Sequence, residues 1–150
     1  VYYDMTDSIL IRPFSIEDYP AVRTLWEVVG LPFKPGGRDS EETIRQESTG
    51  QTALFYVAEQ NHQIIGVVFG THDGRKGWIN RLAVHPDYQH AGIARQLVDQ
   101  VEAVLESRNI HIVACLIDDG NDSSVTFFKK MGYVPHHDIH YFCKKKNRNI

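Results

Sequence analysis

The chain has 150 residues, 42% of them hydrophobic and 23% charged, with a formal net charge of −3. That length supports one compact domain, in which folding hides roughly 70% of the extended surface, and the mild acidity argues against a general nucleic-acid binder, which needs a broad basic face. No apolar stretch approaches the ~18–20 residues of a membrane span, and residues 1–8 are polar and acidic, so neither a membrane helix nor a signal peptide is expected and the location expected is cytoplasmic.

Residues 9–12 read as a first strand. Asp18, before Tyr19-Pro20, is a candidate helix N-cap, because proline is tolerated in a first helical turn. Val22, Leu25, Trp26 and Val29 then recur at helical spacing until Gly30 and Pro32. Asp39, with Glu42 three residues on, resembles a capping box for a short second helix ending at Gly50.

Strand-like runs at 53–58, 64–71 and 78–84 follow, separated by Gln60-Asn61-His62 and Asp73-Gly74 and stopped by Pro86. The spacing predicts an antiparallel meander. Ile93, Leu97, Val101, Val104 and Leu105 mark one face of a long helix. Residues 110–117 are almost continuously apolar, as a strand covered on both faces is, so strand, helix and strand predict a right-handed crossover. A helix over 122–131 stops at Gly132, and 139–144 reads as a final strand. Cys115 and Cys143 are expected to be reduced core thiols, and Lys144-Lys145-Lys146 a solvated tail.

Most of the chemical information lies between Leu82 and Arg95. A strand ends, a proline breaks it, and a loop of small residues opens a long helix. The first helical turn has backbone N–H groups without partners and a positive dipole end, which suits a phosphate. Gly92 lets an anion approach the backbone, and Arg95 offers a charged contact. An ordinary strand-to-helix turn is the other reading of the same spacing. G-x-G-x-x-G and G-x-x-x-x-G-K-[ST] are both absent, which weighs against dinucleotide and nucleoside-triphosphate chemistry.

The segment Gln89-His90-Ala91-Gly92-Ile93-Ala94 resembles the Q/R-x-x-G-x-G/A motif of the GNAT superfamily of N-acetyltransferases. Asn121, Ser124, Phe127, Phe128, Lys130, Gly132 and Tyr133 resemble that family's second motif, at the usual separation. The stretch 70–77, with 54–59 before it, also looks like the small bacterial ribosomal-protein-type branch. The resemblance implies an α/β (α+β) fold with a mixed central sheet of six to seven strands and about four helices. The implied order is β-α-α-β-β-β-α-β-α-β(-β), as a single domain over 9–146 with tails at 1–8 and 147–150.

The resemblance further implies acetyl-CoA as co-substrate and no metal. Its pyrophosphate would lie on Gln89, His90, Ala91, Gly92, Ile93, Ala94 and Arg95, and its pantetheine arm along Leu82, Ala83 and Val84. Asn121, Phe128 and Lys130 would approach from the other side, although Asn121 also suits a helix cap. The acceptor implied is a primary amine on a small molecule, a peptide N-terminus or a lysine, attacking the thioester directly. Nucleic acid and membrane are not expected partners, and homodimers are common in the family.

The acceptor groove would draw on Trp26, Phe33, Arg38, Glu41, His72 and residues near 136–141. Two departures weaken the catalytic assignment. Phe128 stands where many members carry a tyrosine acid, and Asn80 and Leu116 stand at commonly acidic positions. Asn80 and Asp118 are the remaining candidates, although an aspartate entering a loop, as Asp118 does, is usually a turn former, and His85 reads as a surface histidine. An acyl-CoA-binding or sensing module with weak catalysis is therefore the alternative.

Overall fold

A computed structural model of the chain describes residues 8–148 and residue 150. Strand β1 (Leu10–Pro13) leads through a 3-10 turn (Ile16–Asp18) into α1 (Tyr19–Val29), followed by α2 (Glu41–Ser48). The meander is β2 (Ala53–Gln60), β3 (Gln63–His72) and β4 (Gly77–Val84). A second 3-10 turn (Pro86–Tyr88) precedes α3 (Ile93–Ser107), β5 (Val113–Cys115) and α4 (Asp122–Lys130). The strands form one sheet in chain order, β1 to β4 antiparallel and β5 parallel to β4.

Alternation along the strands builds two cores. Leu54, Ala58 and Val68 face α3, while Phe55, Val57 and Phe69 face α1. Helix α3 buries Ile93, Leu97, Val98, Val101 and Leu105. Each such side chain contributes about 1.5–3 kcal/mol on burial, so packing rather than propensity holds this helix in place. On the other face Phe55 stacks on Phe69 with centroids 3.9 Å apart, and Trp26 meets Phe69 edge-on at 5.3 Å.

The structure corrects three expectations. The sheet of the described residues has five strands, not six to seven. A strand exists by pairing, and among the described residues 139–144 has no strand partner: Ile139, Tyr141 and Phe142 lie exposed, and Cys143 with them. Nor is 110–117 a strand covered on both faces. Only Val113–Cys115 pairs, and Ile112 and Leu116, which flank it, are exposed, β5 being the edge strand of the sheet among the described residues.

Both predicted caps also differ. The α2 cap is Ser40, whose hydroxyl accepts the Thr43 N–H, which frees Asp39 for a tertiary role. Asp18 does precede α1 but makes no cap bond. Its carboxylate instead accepts two N–H bonds from Arg12, each 2.8 Å, and one from the Ser15 backbone.

Candidate active site

The site begins with a flaw in the sheet. Phe69 pairs with Arg81 and Gly70 with Ile79, so Asn80 is an extra residue on β4. Such a bulge bends its strand. Before the bulge, Gly77, Trp78 and Ile79 pair with Val113, Ala114 and Cys115; after it, β4 pairs with β5 nowhere. A cleft of about 750 Å³ opens there, lined by Leu82, Ala83 and Val84 on one side and by Cys115, Asp118 and Phe128 on the other.

The structure brings together much of the expected cofactor set. Gln89 lines the same cleft and donates its amide N–H to the Val84 carbonyl at 3.3 Å. His90 and Gly92 both take positive φ, 68° and 79°, and Gly92 stands at the N-cap of α3 without a side-chain cap. The N–H groups of Ile93, Ala94 and Arg95, past Ala91, therefore start the helix uncapped. Apart from its chain neighbours, no heavy atom of the described residues lies within 4 Å of where a Gly92 Cβ would be, so the approach to this turn is open. Its dipole, glycine backbone and open space fit the pyrophosphate of coenzyme A.

Other residues sit differently. Asn121 lines the cleft and also caps α4, its Oδ1 accepting the Ser124 N–H at 3.3 Å. Arg95 is exposed and 4.0 Å from Asp99. Lys130 is exposed on the last turn of α4 and does not line the cleft. His85 points away from it, its Nδ1 accepting the Asp87 N–H. Asn80 lines the cleft with its amide donated to the Thr71 hydroxyl.

Phe128 is buried, its ring 5.0 Å from that of Tyr133. The Tyr133 hydroxyl is engaged away from the ring of Phe128. It donates to Glu102 on α3 at 3.1 Å, and burial, with Glu102 beside it, pushes its pKa well above the ordinary phenol value.

The opposite end of the cleft was not legible. Of the expected acceptor residues only Arg38 lines it. Trp26 is fully buried beneath the Arg81 guanidinium, Glu41 pairs with Arg45, and His72 is held against Arg108. In their place stand Asp39, Arg81 and Glu47. Asp39 is buried and accepts N–H bonds from Arg81 (2.8 Å) and from the Lys34 backbone (2.7 Å), while Arg81 also donates to the Pro32 carbonyl. The loop between α1 and α2 is thereby tied to the strand that lines the cleft. A sequence signal did exist for Glu47: it lies three residues after the buried Ile44, on the same face of α2.

Known proteins share this fold. The description "Acetyltransferase (GNAT) family" matches residues 20–133. A curated acetyltransferase of Pectobacterium atrosepticum is 36% identical over 123 residues, 82% of this chain and 86% of that protein. Among solved structures, the PaiA N-acetyltransferase of Thermoplasma acidophilum in complex with coenzyme A superposes with a TM-score of 0.73 at 22% identity, covering 83% of this chain and 88% of that one. An aminoglycoside acetyltransferase from an uncultured soil metagenomic sample, in complex with trehalose, gives 0.77 at 18% identity, covering 92% and 97%. The chain belongs to the GNAT acetyltransferase family. Acetyl-CoA is its co-substrate. Among the described residues no helix is long and apolar enough to cross a membrane.

Proposed function

We propose that this chain is an acetyl-CoA-dependent N-acetyltransferase acting on a primary amine. The observation that carries the reading is the cleft itself, lined by the 82–84 stretch of β4, which pairs with β3 but not with β5, and by Gln89 near the uncapped start of α3, with Asp39, Arg81 and Glu47 also in its lining. Leu82, Ala83 and Val84 would hold the pantetheine arm, the turn from Gln89 to Arg95 would receive the pyrophosphate, and Asn121 and Phe128 would close the other wall. When bound, acetyl-CoA supplies an activated acyl group. The chain's own contribution is to align an amine with it and to offer fixed N–H donors near Val84 for the developing oxyanion. The departing thiolate is a good leaving group, with a thiol pKa of about 8.5, so a missing acid costs little.

The buried, hydroxyl-free Phe128 favours a second reading, an acyl-CoA-binding module with weak chemistry. CoA release from acetyl-CoA in the presence of a pool of amines and peptides separates the two. Amine-dependent release supports the enzyme. Tight binding with no release above the hydrolytic background supports the module, and absence of acetyl-CoA binding overturns both.

A further inference from the structure

The end of β4 and the turn at 89–92 are joined by His85 and the 3-10 turn Pro86–Tyr88. The bonds that shape this joint converge on His85. Its N–H is held by the Ile65 carbonyl of β3 at 2.8 Å, and its carbonyl accepts the Tyr88 N–H at 2.9 Å. Pro86 has no N–H to offer, so Asp87 carries the first free donor of the turn, and the His85 Nδ1 accepts it at 3.1 Å. The next bond, from the Gln89 N–H to the Pro86 carbonyl, is long at 3.5 Å. The Tyr88 ring meets the imidazole edge-on, with centroids 5.7 Å apart. Past the turn, Gln89 enters the cleft and donates to the Val84 carbonyl. The His85 side chain itself does not line the cleft. It borders a second depression of about 530 Å³, which Arg12, Asp18 and Glu59 also line.

We propose that His85 is a positioning residue for acetyl-CoA: by capping the turn Pro86–Tyr88, its Nδ1 holds Gln89 and the start of α3 in the conformation that receives the pyrophosphate. The inference rests on the cofactor placement proposed above. Acceptance by Nδ1 requires that nitrogen to be unprotonated, which leaves the ring proton on Nε2. Pro86 and Asp87 are exposed, and only Tyr88 of the turn packs against the core. Without the cap, little else orders these residues before the cofactor arrives. The ordering cost then falls on cofactor affinity. The stability of the unliganded domain rests elsewhere, on its two buried cores.

The test is calorimetric titration of acetyl-CoA into wild type, His85→Ala, His85→Asn, His85→Phe and Asp87→Ala. Urea unfolding of each unliganded protein accompanies it, and Gly92→Glu serves as the control for the pyrophosphate site. Asparagine restores a capping acceptor, whereas phenylalanine keeps a ring against Tyr88 without one. Asp87→Ala keeps the N–H and removes the carboxylate that lies 3.8 Å from Nδ1. His85→Ala and His85→Phe are expected to weaken acetyl-CoA binding by about 3- to 30-fold, the range of a lost cap. His85→Asn should recover most of that loss. Asp87→Ala should stay within about twofold, because exposed ion pairs contribute little. The urea midpoints of these four variants should stay near wild type. Unchanged affinity in His85→Ala overturns the inference, as does a lowered urea midpoint, which makes His85 a prop of the fold. Wild-type affinity in His85→Phe assigns the turn to ring packing, and a His85→Asn as weak as His85→Ala removes the acceptor role. A loss in Asp87→Ala equal to that in His85→Ala assigns the effect to the ion pair. Each of these overturns the inference and leaves the cofactor placement standing. Full affinity in Gly92→Glu puts the pyrophosphate elsewhere, and then both fall.

Discussion

At the scale of single residues, Gly92 carries two demands at once. Its φ of 79° disfavours any side chain, and the open space above it is where the proposed cofactor's pyrophosphate would approach the α3 N-terminus. Asparagine tolerates positive φ, whereas glutamate does not and brings a like charge to a phosphate. Gly92→Glu is expected to lower acetyl-CoA affinity by more than about 100-fold, as a lost charged contact plus repulsion predicts, with Gly92→Asn intermediate. Calorimetric titration, with circular dichroism to confirm folding, checks this; full affinity in a folded Gly92→Glu protein removes the pyrophosphate site. Phe128 makes the second residue-scale test. Its ring is packed against Phe127 and Tyr133, both 5.0 Å away, and faces the cleft. For an active enzyme that manages without an acid there, Phe128→Tyr should change kcat by less than about fivefold, because the leaving thiolate gains little from protonation. A gain of tenfold or more in CoA release would instead mark Phe128 as the cause of weak chemistry.

At the scale of elements, what was legible and what was not divide along a physical line. The meander and α3 were legible because their periodicity is local: two for strands and 3.6 for the helix. The turn at 89–92 was legible because small residues and a helix start have a local signature. The length of β5, the fate of 139–144 and the ion pair between Asp39 and Arg81 were not, because each depends on partners distant in sequence. Asp39 read as a cap since its neighbours resemble one; only the fold shows that Arg81, 42 residues away, claims it. Asp39→Ala should therefore cost about 3 kcal/mol, the penalty for leaving a buried charge unpaired, far above an ordinary lost cap of about 1 kcal/mol. Urea unfolding distinguishes these values. Gly77 supplies an element-scale test in the α3 core. A Cβ there would lie 2.4 Å from Leu105 Cδ1, and Leu105 is fully buried. Gly77→Ala should destabilise by about 1–3 kcal/mol through overpacking, and Gly77→Ala with Leu105→Ala should recover part of the strain. A neutral single mutant would mean that α3 shifts at no cost.

For the whole molecule, two carboxylates that shift in opposite directions contribute to stability against pH. Arg12 joins β1 to the start of α1 through Asp18 and to β2 through Glu59. Burial raises the Asp18 pKa, but the Arg12 hydrogen bonds, the Ser15 N–H and the Arg12 charge outweigh it, so the net shift is downward. A carboxyl depressed in the folded state adds stability in full above its unfolded value, about 3.9, and loses it as pH falls through the folded value. Glu102 shifts the other way. Burial raises its pKa, and the Tyr133 hydroxyl only partly offsets this. Its ionised form is thus disfavoured by folding. Its cost is absent below the unfolded value, about 4.3, and grows as pH rises through the folded one. The two residues make a paired experiment. Asp18→Asn should lower stability most at pH 6–8, with the deficit shrinking towards pH 3, where the wild-type carboxyl is also being protonated. Glu102→Gln keeps an oxygen for Tyr133 and removes the charge, so it should match wild type near pH 4 and gain stability at pH 7–8. Urea unfolding across pH 3–8 reads both. Parallel curves for the three proteins would show that neither carboxylate differs between folded and unfolded chains, and a destabilised Glu102→Gln at pH 8 would show that the Tyr133 bond to an ionised Glu102 outweighs the burial of its charge.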